Sequence, residues 1–515
     1  MYLLKKSMME QSQGKTAQGN NITIFAKGAG ITLPGRAIGR GLILIGQLVL
    51  ARLLGPRSYG LYSIAWTILA MGEKVFPLGL EEGVIRFALR KRGKDIRWFK
   101  SVLFQSLGIS LLSGFIIGVA LFVFAPWIAK TLFGKPELAS VLRWFTPVFT
   151  LAAGLQVAAA ATRVSKRMQF SILAQDIIQP LANLILVVVT FILGWGLFGA
   201  IVSVVISYSL GLIMAIRFMR HLFPEVFVAD VKIISLTREL LCFSIPTSLS
   251  RFLATLTIWV DRLFVGYFLP AVTVGVYNTA ALLSMVYGVI LNSFNAIFSP
   301  MIVELYNKAE TKNLEELFRV STKWAIYTCL PVFLTMCFAS KEIMIGLVDT
   351  GYEAGARPML ILAAAQMINA GTGAVGLLLI MTGHQVYWLR ISGLSLLINI
   401  VLCVVLIPRY QLEGGAIANT ISVGVLFVGG LFTVRRILGL WPYDRRLLKG
   451  LGASVITVGA LSLLKSFVNL PPLLYLILIA IVSLGVFGIS LYVMGLEGED
   501  REFLKLVRIK ILERK

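Results

Sequence analysis

The sequence predicts an all-α integral membrane protein of about fourteen transmembrane helices: two six-helix lobes in a parallel pseudo-twofold repeat, then two C-terminal helices. Three observations carry this reading: long apolar runs, an internal repeat, and a one-sided distribution of basic residues. Of the 515 residues, 57% are hydrophobic and only 14% charged, with mean hydropathy +0.85. Soluble domains lie near ~45–50% apolar and ~25% charged. Runs of about 20 apolar residues cross the ~30 Å hydrocarbon core as helices. Such runs lie near 31–53, 59–80, 101–126, 140–161, 170–193 and 197–216, then 240–268, 274–298, 325–348, 358–381, 388–407 and 414–434, and finally 450–468 and 472–494.

The first twelve runs form two copies of one pattern. Gly60, Tyr62 and Ala65 follow Pro56 in GPRSYGLYSIA, and Gly275, Tyr277 and Ala280 follow Pro270 in LPAVTVGVYNTA, an offset of 215. Asn183 stands 16 residues before Gly199, Ala200 and Ile201, as Asn399 does before Gly415, Ala416 and Ile417, an offset of 216. Between these matches, Gly134 with Glu137 answers Gly351 with Glu353. Three matches in one order at a nearly constant offset indicate duplication, and an even number of spans per copy makes the copies parallel. The expected organisation is an N-terminal disordered arm (1–28), lobes at 29–238 and 239–449, two extra helices (450–496) and a basic tail (497–515).

The net charge of +23 raises the possibility of a nucleic-acid partner. Its distribution argues against one. With a cytoplasmic N-terminus, 34 of the 48 Lys and Arg residues fall in cytoplasmic tails and loops. The opposite side holds six: Arg57, Lys130, Lys135, Arg357, Arg409 and Lys465. That bias predicts a multi-pass protein of the plasma or inner membrane with both termini in the cytoplasm, its basic face toward anionic lipid. Eight basic residues remain inside the spans.

Several chemistries are disfavoured. Cys242, Cys329, Cys337 and Cys403 lie in or at apolar runs and have no metal-ligand spacing, and the two histidines, His221 and His384, lie in expected loops. No metal site, catalytic triad or phosphate-binding GxxxxGK[ST] loop is apparent, so no catalytic residue and no cofactor is expected. External loops are short, which disfavours a membrane enzyme of glycan assembly. Residues 300–323 read as an amphipathic connecting helix.

Several segments together resemble one family: ARLLGPRSYGLYSIAWTI (51–68), LGLEEGVIRFAL (78–89), SPMIVELYNKAE (299–310), GYEAGARPMLILAAAQ (351–366) and the run from Gly383 to Ser422. They are similar to the Wzx-like polysaccharide and oligosaccharide flippases of the multidrug/oligosaccharidyl-lipid/polysaccharide exporter superfamily. The resemblance covers roughly residues 20–435. It implies transfer of a polyprenyl-phosphate-linked or polyprenyl-pyrophosphate-linked glycan from the cytoplasmic to the outer leaflet by alternating access. It also implies membrane lipids and glycan-assembly enzymes as partners and a monomeric transporter. The alternative within the superfamily is a cation-coupled multidrug exporter.

The charges inside the spans fit an anionic headgroup. Guanidinium groups pair bidentately with phosphate oxygens. Arg36 and Arg40 stand one turn apart on the first span, Arg251 and Arg262 stand eleven residues apart on the seventh, and Arg36 and Arg251 are related by the repeat offset. These four are the expected phosphate-binding residues. Without a nucleotide site, an H⁺ or Na⁺ gradient would supply the energy, and Asp261, Asp176 and Glu73 are the intramembrane carboxylates available to couple it. Glu73 precedes Lys74 and is expected to pair with it, while Asp176 has no cation beside it in the sequence. Pro34 and Pro246, early in the first span of each copy, are the expected hinges.

Overall fold

A computed structural model describes residues 35–90, 95–165, 167–228, 232–468, 470–495, 497 and 500, without the side chains of Val228, Ser250, Ala254, Ser293, Ala296, Ile297 and Pro300. The arm expected over 1–28, Pro34 and residues 501–515 lie outside the described residues. Among the described residues there is no strand. The first half of the chain forms α1 (Gly35–Gly72), α2 (Leu80–Arg90), α3 (Ile96–Trp127), α4 (Leu138–Arg163), α5 (Met168–Ile192) and α6 (Gly196–Leu222). Then follow α7 (Thr237–Phe268), α8 (Ala271–Ser284), α9 (Val286–Asn307), α10 (Thr311–Phe338), α11 (Ser340–Leu347), α12 (Ala356–Thr372), α13 (Val375–Met381), α14 (Gln385–Leu438), α15 (Leu447–Phe467) and α16 (Pro472–Val493).

Nine described helices are long and apolar enough to cross a bilayer, or up to twelve if each of three bent pairs is one span. Helix length alone therefore does not establish the expected fourteen. Two of the nine, α1 and α14, run for 38 and 54 residues, which is more than the roughly 20 that one crossing needs. Each holds one residue outside helical geometry, Gly55 (φ 70°, ψ 168°) in α1 and Gln411 (φ 49°, ψ −122°) in α14. Dividing both helices at these breaks would bring twelve to fourteen.

The chain forms two compact units. Unit 1 takes the chain to Trp259 together with Pro270–Gly275, and unit 2 takes Val260–Leu269 and the chain from Val276 onward. In unit 1, α2 buries Leu80, Val84 and Ala88 against Trp98, Phe99 and Val102 of α3 and Val157, Ala160 and Ala161 of α4. Small residues on α4 let these backbones approach closely. Unit 1 also contains a reciprocal contact between the repeated motifs. A Cβ on Gly60 would strike the Ala271 carbonyl, and one on Gly275 would strike the Pro56 carbonyl.

In unit 2, Phe298 and Ile302 of α9, Phe318 of α10, Val375 and Leu378 of α13, and Leu431 and Val434 of α14 share one apolar cluster. The chain bends by 83° between α10 and α11 and by 47° between α12 and α13. The C-terminal hairpin, α15 and α16, packs on α10 and α11. Ser483 donates to the Pro331 carbonyl (2.8 Å), Gly450 lies against the Tyr327 ring, and Gly346 against Leu473. The amphipathic helix expected over 300–323 is interrupted. α9 ends at Asn307 and α10 begins at Thr311, because Ala309 takes φ 55° and the Glu310 amide turns back to the Leu305 carbonyl (3.0 Å).

Candidate functional site

Unit 1 gathers most of the charges singled out from the sequence. Arg36 and Arg40 are exposed on α1, on either side of Gly39. A Cβ on Gly39 would run into the backbone of Asp176, and one on Gly35 into Ile172, so α1 lies hard against α5 here. The stretch Leu173–Ile178 of α5 is wound as a π-helix, a local departure frequent at functional sites. It carries Asp176. Although no cation adjoins Asp176 in the sequence, Arg36, Arg163 and Arg40 all act on it electrostatically.

Arg163 closes α4, two residues past the apolar run 140–161. Its Nε donates to Ser171 Oγ (2.9 Å) and its Nη2 to Gln175 Oε1 (3.4 Å). It lies within electrostatic range of Arg36, Glu82, Asp176 and Arg251. Arg251 of α7 uses one nitrogen, Nη1, for two carboxylates, Glu81 Oε1 (3.0 Å) and Glu82 Oε1 (2.9 Å) of α2. The Glu81 side chain is only 6% exposed, and its Oε2 has no hydrogen-bond partner. Four guanidinium groups from α1, α4 and α7, with Lys74 from the connection before α2, therefore share a region with three carboxylates, an excess of positive charge. Sequence reasoning missed Arg163, Glu81 and Glu82. The last two lie just past an apolar run, where solvation is the default, and the tertiary contact alone marks them.

Glu73 does not pair with Lys74; no ion pair joins these two described residues. Its Oε1 accepts from Tyr208 (2.6 Å) instead. The reason is geometric, since the chain leaves α1 at Gly72 and the Glu73 side chain enters a cavity of about 120 Å³. The cavity is also lined by Gly46, Gln47, Gln179, Asn183 and Tyr208. Gln47 accepts from Tyr59 (3.2 Å) and Gln179 donates to Ser207 (3.2 Å), while Asn183 Oδ1 has no hydrogen-bond partner. One carboxylate among neutral oxygens is a donor set suited to a proton or a small monovalent cation.

The remaining residues lie in unit 2 or along α7. Asp261 and Arg262 are buried, with Tyr277 donating to Asp261 Oδ2 (2.7 Å) and Arg262 Nη2 lying 3.6 Å from Met285 Sδ. Pro246 lies inside α7, but the 51° bend comes between Leu253 and Thr255, about two turns further on.

Unit 1 thus holds a cationic cluster and a separate carboxylate cavity within an apolar helical fold. The family model described as polysaccharide biosynthesis protein matches residues 25–306, more than half of the chain, and the chain belongs to that family. A second model, MatE, matches residues 246–405. The capsular polysaccharide biosynthesis protein CapF of Staphylococcus aureus is 24% identical over 200 residues, 39% of this chain and 50% of that protein. A probable low-salt glycan biosynthesis flippase of Haloferax volcanii is 23% identical over 167 residues, 32% of this chain and 35% of that protein. The chain thus spans about half the length of the first and about a third of the second. Among solved structures, the lipid II flippase MurJ in an inward closed conformation superposes with TM-score 0.69 at 15% identity, covering 87% of this chain and 96% of that one. An inward-facing multidrug resistance MATE family transporter gives TM-score 0.66 at 16% identity, covering 79% and 98%. The fold is that of the multidrug/oligosaccharidyl-lipid/polysaccharide exporters.

Proposed function

We propose that the protein translocates a polyprenyl-phosphate-linked or polyprenyl-pyrophosphate-linked oligosaccharide from the cytoplasmic to the outer leaflet, by alternating access of lobes 29–238 and 239–449. The observation that carries this reading is the guanidinium cluster of unit 1. Arg36 and Arg40 offer forked donors to a phosphate, beside the guanidinium groups of Arg163 and Arg251, in a setting where a lipid-facing charge would be expensive. Membership of a polysaccharide biosynthesis family and the named relatives support the same substrate class. Glu73, in its polar cavity, is the coupling group for H⁺ or Na⁺; Asp176 is neutralised locally by arginines, and Asp261 is sealed. The basic-residue distribution supports a plasma-membrane protein with both termini cytoplasmic. It works as a monomer, not an enzyme, and receives its substrate from glycan-assembly enzymes.

The MatE match and the Glu73 cavity favour one second reading, a cation-coupled drug exporter. Complementation of a flippase-deficient strain separates the two. Arg40→Ala and Arg251→Ala should each abolish complementation at normal membrane abundance. Arg→Lys should restore it only partly, since an ammonium keeps the charge but not the fork. Full activity of both alanine variants would remove the cationic-site mechanism and favour the exporter. Orientation has its own check in a cysteine-free background: cysteines at Gly194 and Ala271 should react with an impermeant reagent outside, and cysteines at Lys94 and Arg445 should not.

A further inference from the structure

Arg251 is already occupied. Its Nη1 bonds Glu81 and Glu82 at 3.0 and 2.9 Å, so a phosphate that takes the Nη1/Nη2 fork competes with both carboxylates for Nη1. The two are unequal. Glu82 is 43% exposed and can pass to water, whereas Glu81 is 6% exposed and its second oxygen has no hydrogen-bond partner. A buried carboxylate that loses its guanidinium has two outcomes, a costly uncompensated charge or a proton.

We propose that Glu81 is a proton-linked latch on Arg251: anion binding to Arg251 expels the Glu81 carboxylate from the pair, and Glu81 takes up one proton from solution. This rests on the reading of Arg251 as a headgroup ligand and adds its regulation. The charge balances, since the anion replaces the Glu81 charge on Arg251 and the proton neutralises the displaced carboxylate. The groups facing Glu81 are Glu82 on its own helix, Arg251 from α7 and Lys74 from the connection before α2, with Arg163 of α4 acting on Glu82. Burial pushes the Glu81 carboxyl above the usual carboxylate range, against the pull of its own backbone amide, Arg251 and Lys74; Glu82 pushes it further up. Once the anion takes Arg251, one of those downward pulls is gone and the carboxyl rises again. Linkage makes the effect reciprocal: protonation of Glu81 strengthens anion binding as much as anion binding strengthens protonation.

The test is calorimetric titration of the purified full-length protein with inorganic pyrophosphate across neutral pH, comparing wild type, Glu81→Gln, Glu82→Gln and Arg251→Ala. The ligand's own ionisation is common to all and cancels in the differences. Wild-type affinity should weaken relative to Glu81→Gln as pH rises, by about tenfold at the alkaline end, where loss of one competing charge-assisted pair is felt in full. The two should converge on acidification, and Glu82→Gln should move affinity less. Binding enthalpies in buffers of different ionisation heat should show one more proton taken up by wild type than by Glu81→Gln. If Glu81→Gln fails to fold, the wild-type protein alone still decides: no net proton uptake beyond the ligand's own overturns the latch. Parallel pH profiles for wild type and Glu81→Gln, with Arg251→Ala silent, would overturn the latch and leave the headgroup reading intact. Wild-type affinity in Arg251→Ala would remove the headgroup reading itself.

Discussion

Each unit contains a tyrosine hydroxyl bonded to a carboxylate, and the two pairs differ in what surrounds them. In unit 1, Tyr208 donates to Glu73 (2.6 Å), and Glu73 lines a cavity with Gln47, Gln179 and Asn183. In unit 2, Tyr277 donates to Asp261 (2.7 Å), which is 2% exposed and adjoins Arg262. The repeat sharpens the contrast. At the offset of 215, Asp261 corresponds to Gly46 and Arg262 to Gln47, both lining the unit 1 cavity. Where one copy leaves space beside an amide, the other fills the position with an acid and a base. Tyr62, the counterpart of Tyr277, is buried in an aromatic group with Tyr59, Trp66 and Phe145. The same backbone position thus serves packing in one unit and a polar strut in the other. The difference teaches that a carboxylate within an apolar span is not by itself a coupling site; the space and neutral oxygens around it decide.

Variants at the two carboxylates should break the comparison if it is wrong, and the effect expected at Asp261 is the largest. Asp261→Ala takes the carboxylate from a buried guanidinium and from Tyr277, which should cost on the order of 3–5 kcal/mol and show as a large drop in the thermal unfolding midpoint. Glu73→Gln keeps an acceptor for Tyr208 and should leave the midpoint nearly unchanged while abolishing dependence of transport on the ion gradient. A stable Asp261→Ala protein, or a Glu73→Gln protein that unfolds readily, would exchange the two roles.

A second buried charge in unit 2 should give the next largest effect. Lys323 is 1% exposed and pairs with Asp500 (2.8 Å), which also accepts from Trp324 Nε1 (2.8 Å). Asp500→Asn removes the counter-charge but leaves a polar group, and should cost about 2–3 kcal/mol. Burial pushes the Asp500 carboxyl up, but hydrogen bonds from Lys323 and Trp324 outweigh it and hold the group below the usual range. A depressed carboxylate contributes stability above its unfolded value of about 3.9 and loses it as pH falls through the lowered one. Glu81, held high by burial, has the opposite sign. Its contribution is present at low pH and lost as pH rises through the raised value. Unfolding midpoints should therefore show one loss as pH falls below the usual carboxylate range, which Asp500→Asn abolishes, and another as pH rises above that range, which Glu81→Gln abolishes. Profiles in the two variants that parallel wild type would refute both assignments.

The fold class was legible because hydropathy and duplication are linear properties of a chain. Gly60 and Gly275, matched in the sequence, turn out to pack reciprocally, so the repeat reported a real contact. Arg36, Arg40, Arg251 and Asp176 could also be singled out as charges within apolar runs. What could not be read was their company. Glu73 was assigned to Lys74 because they are neighbours in sequence, whereas its partner, Tyr208, comes from α6. Arg163 was hidden at the end of an alanine-rich run, and Glu81 beside a residue of the same charge, with nothing to show that one is buried and the other is not. Helix breaks were equally opaque. Pro246 suggested a kink, yet α7 bends beyond it.

The smallest effect expected concerns the break in α14. The corresponding turn of unit 1, between α5 and α6, uses Gly194 (φ 77°) and Gly196 (φ 51°), which take positive φ without a Cβ penalty. In unit 2 the break falls at Gln411 with φ 49°, a position where no glycine takes the positive φ. A side chain held at positive φ costs roughly 1–2 kcal/mol. Gln411→Gly should recover part of that, offset by the larger entropy of glycine in the unfolded chain, for a net gain of about 0.5–1 kcal/mol. Gly196→Ala should lose about 1 kcal/mol for the same reason. Thermal unfolding of the pair checks the argument: opposite shifts of a few degrees are expected. A lower midpoint for Gln411→Gly would mean that the glutamine side chain holds the turn, and that the two units close their last helix pair by different physics.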